Sequence, residues 1–343
     1  MIESMKEILK VGKLNSELLV DLLQYKGIQD ERVILGPSLG EDAAIIDFDE
    51  ACEKYLVAKT DPITFATEEI GWYVVNINAN DLATRGAKPK WFLPTILLPE
   101  GKTTEAIVRE IFSQISFACE ELGIAVVGGH TEITYGLNRP IVVGSMLGEV
   151  EKGKLVKTSG AKPGDDIIMT KGIVIEGTSI IAREKEEELK KKGFSQDFIE
   201  RCKNFLFQIS VLKEALLAVE VAKINCMHDP TEGGLANGLY EIAKASGNGF
   251  LVYKDKIPIL KESKILCEEY GLDPLRTITS GTLILTLPEE ETGKLLSKYK
   301  DAGISASVIG KIKNKEYGLK ILEKGRIKDL EYCERDEIAK IFE

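Results

Sequence analysis

The sequence has few of the residues that build zinc, iron–sulfur or histidine-based catalytic sites. It contains two histidines, His130 and His228, and six widely spaced cysteines without a Cys-x-x-Cys pair. This usage argues against zinc sites, iron–sulfur clusters and a disulfide framework, and it is typical of proteins in a reducing compartment. We therefore expect a cytoplasmic protein whose chemistry depends on other side chains.

The sequence also lacks a basic stripe and a long apolar run. Its formal net charge is −10, so most of the surface would repel a phosphate backbone and we expect no nucleic-acid partner. No segment approaches the roughly 18 apolar residues of a transmembrane helix. Residues 1–6 include an acid and lack the apolar stretch of a signal peptide. We expect no membrane association.

Three common nucleotide-binding signatures are absent as well. There is no Gly-x-x-x-x-Gly-Lys-Ser/Thr loop, no Gly-x-Gly-x-x-Gly after a strand and no kinase-type His-Arg-Asp. If ATP binds to this chain, it binds through a different arrangement.

The 343 residues and 44% hydrophobic content predict two α+β domains, which we place at residues 1–152 and 153–343. Apolar periodicity predicts the following secondary structure. Helices are expected at about 5–25, 69–85, 103–122, 178–193, 195–222 and 233–246. Strands are expected at 43–47, 55–58, 91–98, 124–127, 141–147, 167–170, 251–253, 282–287 and 305–309.

Acidic and small polar residues stand where the predicted strands end. Gly40 and Asp42 lie at the start of one strand, and Lys59, Thr60 and Asp61 end the next. Gly-Gly-His-Thr-Glu follows a third strand; its members are Gly128, Gly129, His130, Thr131 and Glu132. Carboxylate ligands, with glycines that let the backbone approach a phosphate, suit a Mg²⁺-nucleotide. Simple turns and a loop histidine are the alternative interpretation.

Two further segments are open to both interpretations. The predicted helix at 69–85 carries Asn80, Asp81 and other polar residues in an otherwise apolar stretch, and it either faces a site or faces solvent. In the second half, Asp229 precedes Pro230 and the predicted helix at 233–246. Asp229 is either a helix cap with Glu232 three residues later, or part of an anion site.

The order of these pieces resembles the PurM-like superfamily, which includes aminoimidazole ribonucleotide synthase, selenophosphate synthetase, thiamine-monophosphate kinase and the HypE hydrogenase-maturation branch. The matching blocks cover about nine-tenths of the chain, up to about residue 311; they are 40–45, 59–61, 80–89, 128–132, 229–234, 271–275, 280–283 and 308–310. The segment Gly-Leu-Asp-Pro-Leu (271–275), followed by a glycine-bearing strand, is most similar to HypE.

The resemblance implies an N-terminal domain that forms a β-barrel with its copy in a homodimer and a C-terminal α/β domain beside it. It also implies bound ATP and Mg²⁺. Metal ligands would be Asp42, Asp61, Asp81 and Asp229, and catalytic residues would be Asp81, Asp229 and His130. The nucleotide would contact Gly40, Lys59, Thr60, Asn80, Gly128, Gly129, Thr131 and Glu132.

The implied chemistry is phosphoryl transfer that activates the oxygen of an amide, a carbamoyl group or another small acceptor. The acceptor would be a small molecule or a carrier protein, and hydrogenase-maturation proteins would be partners. Three features depart from HypE. Glu232 replaces the usual arginine, and the glycine-rich N-terminal segment of HypE is reduced to residues 11–15. In place of the terminal cysteine of HypE, the cysteine nearest the end is Cys333, which lies ten residues before the end within a predicted closing helix. The alternatives are a thiamine-monophosphate-type kinase and a non-catalytic, nucleotide-binding paralogue that acts as a scaffold.

Overall fold

The computed structural model describes residue 14 and residues 16–25, 28–64 and 66–342. The first half of the described chain forms one sheet in the order β1-β2-β3-β7-β4-β5, with β6 also paired to β4. Its strands are β1 (Val33–Leu35), β2 (Ala44–Ile46), β3 (Lys54–Ile63), β4 (Lys88–Pro99), β5 (Ala125–Val126), β6 (His130–Thr134) and β7 (Ile141–Glu151). Its helices are α1 (Ser16–Leu22), α2 (Ile70–Ala83) and α3 (Glu105–Leu122).

Helix α2 lies directly on the long central strands of this sheet. β7 pairs antiparallel with β3 on one side and with β4 on the other. Alternate residues of β7 are buried, as expected for a sheet with one covered face. At Gly144 a Cβ would lie 2.3 Å from Asn78 Nδ2, so the glycine permits the close approach of α2.

The second half of the described chain forms a sheet in the order β14-β13-β10-β12-β8-β11-β9. Its strands are β8 (Asp166–Thr170), β9 (Cys226–His228), β10 (Gly249–Tyr253), β11 (Ile284–Leu287), β12 (Ala306–Lys313), β13 (Leu319–Glu323) and β14 (Arg326–Asp329). Its helices are α4 (Ile175–Glu184), α5 (Glu186–Lys191), α6 (Gln196–Lys203), α7 (Leu212–Val221), α8 (Gly234–Ser246), α9 (Lys261–Tyr270) and α10 (Glu289–Asp301). The neighbouring strands β8, β11 and β9 are fully buried.

The predicted strands are confirmed to within a few residues, apart from β3, β7 and β12, which extend about four residues further. The predicted helix at 195–222 is wrong as one element. It is divided into α6, a 3-10 turn at Asn204–Gln208 and α7. The break at 209–211 is fixed by tertiary contacts, since Lys171 Nζ donates to the carbonyl oxygens of Gln208 and Ser210 at 2.9 and 2.7 Å.

Two other helix predictions need correction. The helix expected at 178–193 begins at Ile175 and is divided at Lys185. The closing helix is a 3-10 turn, Glu337–Phe342, which begins after Cys333. Strands β1, β6, β9, β13 and β14 and helices α9 and α10 were not predicted. About half of the helix expected at 5–25 lies outside the described residues, and its described part is helical at Ser16–Leu22.

Helix α2 also joins the two halves. Trp72 Nε1 donates to Leu206 O at 3.2 Å, and Tyr73 Oη donates to Ser179 Oγ at 3.1 Å. Both partners belong to the second half, so the side of α2 away from its sheet contacts the second half. Within the described part of the chain, no helix is both long and apolar enough to cross a membrane.

Candidate active site

A buried cluster of two acids and a histidine lies where the two halves of the chain meet. Asp42 stands just before β2, and His228 ends β9 with Asp229 directly after it. One potential ligand atom from each of the three lies within 4.8 Å of the others. His228 and Asp229 are 4% and 2% exposed. The fold therefore brings together two predicted metal ligands that are 187 positions apart in the sequence.

His228 is held between two carboxylates. Its Nδ1 lies 2.9 Å from Asp42 Oδ2, and its Nε2 lies 2.7 Å from Glu241 Oε2. Burial favours the neutral ring, but Asp42 and Glu241 outweigh burial and raise the pKa of His228 to about 10. Burial alone would raise the pKa of Asp42. The charges of His228 and Arg85 outweigh burial and hold this pKa below its usual range. His228 is therefore an imidazolium whose two N–H groups donate, and it is not a metal ligand in this state.

Lys59 links two more of the predicted metal ligands. Its Nζ lies 3.1 Å from Asp81 Oδ2 and 3.8 Å from Asp61 Oδ2. Burial raises the pKa of Asp81 to about 7; Lys59 opposes this rise, whereas Asp61 and Asp42 reinforce it. One lysine is therefore shared by carboxylates that repel one another.

Among the four predicted metal ligands, Asp229 is the acid whose charge is least neutralised by neighbouring groups. Both of its carboxylate oxygens are buried without a hydrogen-bond partner in the described part of the chain. Burial, followed by repulsion from Asp81 and Asp42, raises the pKa of Asp229 well above its usual value. Buried carboxylates of this kind are costly unless a cation neutralises them. Oxygen ligands are those that Mg²⁺ prefers, so Asp42, Asp81 and Asp229 fit a hard divalent cation.

Arg85 supports this cluster from the end of α2. Its fully buried guanidinium donates to Glu41 and, at 3.1 Å, to Asp42 Oδ2. The same group donates to Thr158 Oγ1 at 2.8 Å and to Met227 O at 2.9 Å. A planar guanidinium can bind several oxygens in fixed directions, so Arg85 fixes Asp42 relative to β9.

The other polar residues of α2 bind backbone groups. Asn80 Nδ2 donates to Ile209 O at 2.8 Å, and Asn80 Oδ1 accepts from Val211 N–H at 2.8 Å. Asn78 Nδ2 donates to Asp61 O at 3.2 Å. The alternative in which this helix faces solvent is wrong, because the Asn, Asp, Thr and Arg residues on it and just beyond it are buried. These residues are Asn76, Asn78, Asn80, Asp81, Thr84 and Arg85. The role of Asn80 in nucleotide binding stays a prediction.

The segment 128–132 does not join the cluster in the described structure. The side chains of His130 and Glu132 are 64% and 49% exposed, and His130 Nε2 lies 3.1 Å from Glu132 Oε2. Gly128, Gly129 and Thr131 line an apolar groove beside α3. Among the described residues, no hydrogen bond or ion pair connects this segment with Asp42 or Asp229. Their predicted nucleotide-binding and catalytic roles stay predictions.

Two further predicted nucleotide residues lie next to the cluster. Thr60 Oγ1 donates to Gly144 O at 2.8 Å within the first sheet. Gly40 has φ of 79°, and a Cβ there would lie 2.8 Å from Glu241 O, so only glycine fits this approach to α8. The nucleotide contacts predicted for Gly40 and Thr60 stay predictions.

The helix-cap interpretation of Asp229 is wrong. Helix α8 begins at Gly234, and its N-cap position is Gly233, whose φ of 81° is left-handed. Asp229 is therefore separated from the helix by a turn. Sequence reasoning missed the roles of His228, Glu241 and Arg85. The only signal for His228 in the sequence was its position beside Asp229. Nothing in the sequence linked Glu241 to His228 or to Asp229.

Comparison with known families gives two consecutive matches. Residues 40–150 match the AIR synthase related protein, N-terminal domain, and residues 162–321 match the AIR synthase related protein, C-terminal domain. Together they cover most of the chain and all four predicted metal ligands.

Individual relatives agree with this assignment. A putative hydrogenase expression/formation protein of Methanocaldococcus jannaschii is 32% identical over 308 residues, which cover 87% of this chain and 88% of that protein. The carbamoyl dehydratase HypE of Rhodobacter capsulatus is 28% identical over 299 residues, covering 86% and 83%. A thiamine-monophosphate kinase of Aquifex aeolicus is 26% identical over 272 residues, covering 75% and 83%.

Solved structures show the same fold. The hydrogenase maturation protein HypE in complex with ATP has a TM-score of 0.71 at 24% identity, covering 96% of this chain and 97% of that one. HypE in a HypE–HypF complex has a TM-score of 0.69 at 25% identity, covering 92% and 99%. With its two mixed α+β halves and both family matches, this chain belongs to the AIR synthase related, or PurM-like, family and to its HypE-like hydrogenase expression/formation branch.

Proposed function

We propose that this chain is an ATP- and Mg²⁺-dependent HypE-like enzyme, which activates an amide, a carbamoyl group or another small acceptor oxygen by phosphoryl transfer. The observation that supports this most is that Asp42 and Asp229 lie in one cluster, that Asp81 is close enough to repel both, and that both Asp229 oxygens are buried without a hydrogen-bond partner in the described part of the chain. ATP as the nucleotide is supported by the HypE–ATP complex, and the reaction type by the relative named carbamoyl dehydratase.

Each residue of the site then has a definite task. Asp42, Asp81 and Asp229 would hold Mg²⁺, which when bound neutralises charge on the phosphoryl oxygens. Lys59 adds a fixed positive charge beside Asp81, and Arg85 keeps Asp42 oriented. Phosphoryl transfer depends mainly on positioning and charge compensation, and a site rich in carboxylates meets both needs.

A homodimer whose first sheets close into a barrel is part of the proposal. It is supported by apolar side chains exposed along β5 and β6, where Val126, Val127 and Ile133 are 49%, 53% and 60% exposed. The HypE–HypF complex supports a hydrogenase-maturation partner. The domain boundary at residues 152/153 and the cytoplasmic location belong to the same proposal.

The acceptor is a small molecule or a group on a carrier protein, and we do not assign Cys333 as the carrier thiol. Cys333 is 5% exposed; its N–H donates to Asn237 Oδ1 at 2.8 Å, and its Sγ donates to Arg335 O at 3.0 Å. A thiol held in this way is presented to another molecule only after local unfolding. The relative from Aquifex aeolicus supports a thiamine-monophosphate-type kinase as the second candidate.

Phosphate release from ATP with and without Mg²⁺ tests the proposal. Asp81→Ala and Asp229→Ala should abolish release, because each removes a ligand of the cation. Asp301→Ala is the matched control, since its side chain is 67% exposed on α10. Thiamine monophosphate and carbamoylated compounds, tested as acceptors, distinguish the two reactions. Normal turnover in both site variants would refute the site assignment. A wild type that binds ATP without turnover in any acceptor assay would favour the non-catalytic paralogue.

A further inference from the structure

A polar cavity lies between the two halves. Asp61 belongs both to its lining and to the candidate active site. The cavity encloses about 90 Å³, and its polar lining consists of Asp61, Thr64, Glu176, Thr231, Glu232 and Ser280. A cavity of this size holds a few water molecules or one small functional group. It therefore has the size of a subsite for the reacting end of an acceptor.

Glu176 is one of two lining residues with a buried side-chain oxygen that lacks a hydrogen-bond partner in the described part of the chain; the other is Ser280. Glu176 is 4% exposed, and its unpartnered atom is Oε2. A buried carboxylate oxygen normally has at least one donor, and leaving it without one is costly. The unpartnered atom belongs to a residue that lines the cavity, so it is available to a donor on a ligand.

The backbone before Glu176 is strained in a way that fixes its position. Val174 has φ of 65°, which is rare for a β-branched residue, and its N–H donates to Thr279 Oγ1. Such strain persists only where surrounding contacts impose it, and it concentrates at functional sites. Helix α4 begins at Ile175, directly after this residue, so Glu176 lies in its first turn.

The opposite wall of the cavity is held by Asp336. Its carboxylate accepts hydrogen bonds from the N–H groups of Gly233, Ile278 and Ile338. Gly233 is next to the lining residue Glu232 in the sequence, and Ile278 lines the cavity itself. The cavity is therefore preformed, and its acidic lining is part of a rigid wall.

We infer that this cavity receives the reacting end of the acceptor and that Glu176 binds an N–H donor there, on an amide or an amine. This inference rests on the proposed function, because it assigns the acceptor to the site next to Asp81.

Asp61, Glu176 and Glu232 make the lining acidic, so the cavity favours neutral or cationic nitrogen groups and repels phosphate monoesters. Burial, with help from Asp336 and Asp61, raises the pKa of Glu176 to about 7. Near neutral pH the carboxyl group can therefore accept from an amine or donate to an amide oxygen.

Ligand-observed NMR with three small probes tests this inference. Acetamide represents neutral amides, methylguanidine represents cations and ethyl phosphate represents anionic acceptors. Each is titrated with wild-type protein, Glu176→Leu and Glu176→Gln, with and without ATP and Mg²⁺. Glu187→Gln is the matched control, because its side chain is 78% exposed on α5. Circular dichroism confirms that each variant is folded.

We expect acetamide or methylguanidine to bind and ethyl phosphate not to bind. Glu176→Leu should weaken nitrogen-probe binding about 10-fold or more, as for loss of a hydrogen bond to a charged group, and Glu187→Gln should not. Glu176→Gln distinguishes a neutral amide from a cation as the ligand. It should keep acetamide binding and lose methylguanidine binding, because glutamine carries no charge. Binding of ethyl phosphate alone, unchanged nitrogen-probe binding in Glu176→Leu, or no nitrogen-probe binding in wild type would overturn the inference. Nucleotide affinity, measured separately on the same samples, decides the proposed function independently.

Discussion

Replacing Glu176 by glutamine should stabilise the protein, and more at pH 8 than at pH 5. Burial, with Asp336 and Asp61, raises the pKa of Glu176 from an ordinary 4.5 to about 7. The unfolded chain therefore releases this proton near pH 4.5, whereas the folded chain keeps it until about pH 7. The free energy of unfolding falls between these two values as pH rises, and it is constant above and below them. Glutamine does not ionise, so the variant loses this pH dependence.

The size of the effect follows from the two pKa values. A difference of about 2.5 corresponds to about 3 kcal/mol of unfolding free energy at pH 8. For a chain of this length, that is about 4 °C in the unfolding temperature. Denaturant unfolding of wild type, Glu176→Gln and the exposed control Glu187→Gln at pH 5, 6, 7 and 8 measures it. Parallel curves for wild type and Glu176→Gln would refute a buried Glu176 with a raised pKa.

Three further predictions concern the supports of the two sites. Arg85→Met should lower the free energy of unfolding by about 3–5 kcal/mol, since it leaves the buried Glu41 carboxylate without its cation and removes one of the cations that contact Asp42; a loss below about 1 kcal/mol in urea unfolding would contradict this. Asp336→Ala should cost about 1–3 kcal/mol by removing an acceptor from three backbone N–H groups, and wild-type stability would count against that role. Cys333 should react with a thiol reagent more slowly than the less buried Cys52, and equal rates measured by mass spectrometry would disprove its burial.

Much of the fold could be predicted because it depends on local patterns. Strands such as β2 and β8 are short apolar runs, and the pattern identifies them. Asp42 was identified because an acid beside a predicted strand stands out from its apolar surroundings, and Asp229 because it lies in the block 229–234 that resembles the family. The structure brings these two together, and it joins Asp61 to Asp81 through Lys59.

The features that were missed depend on contacts distant in sequence. The apolar pattern continues through residues 209–211, but Asn80 and Lys171 bind the backbone there and end the helix. Glu241 lies on the far side of a turn from His228, and only the orientation of α8 brings them to 2.7 Å. Glu176 showed no motif at all, since its significance comes from burial in a cavity formed by both halves.

The central claim is that the buried carboxylates hold a cation together with ATP. Isothermal titration calorimetry of ATP, with and without Mg²⁺, on wild type, Asp229→Ala and the exposed control Asp301→Ala tests it most directly. We predict binding that requires Mg²⁺, is retained in Asp301→Ala and is lost in Asp229→Ala. Absence of binding at millimolar ATP, or binding that needs neither Mg²⁺ nor Asp229, would contradict the account.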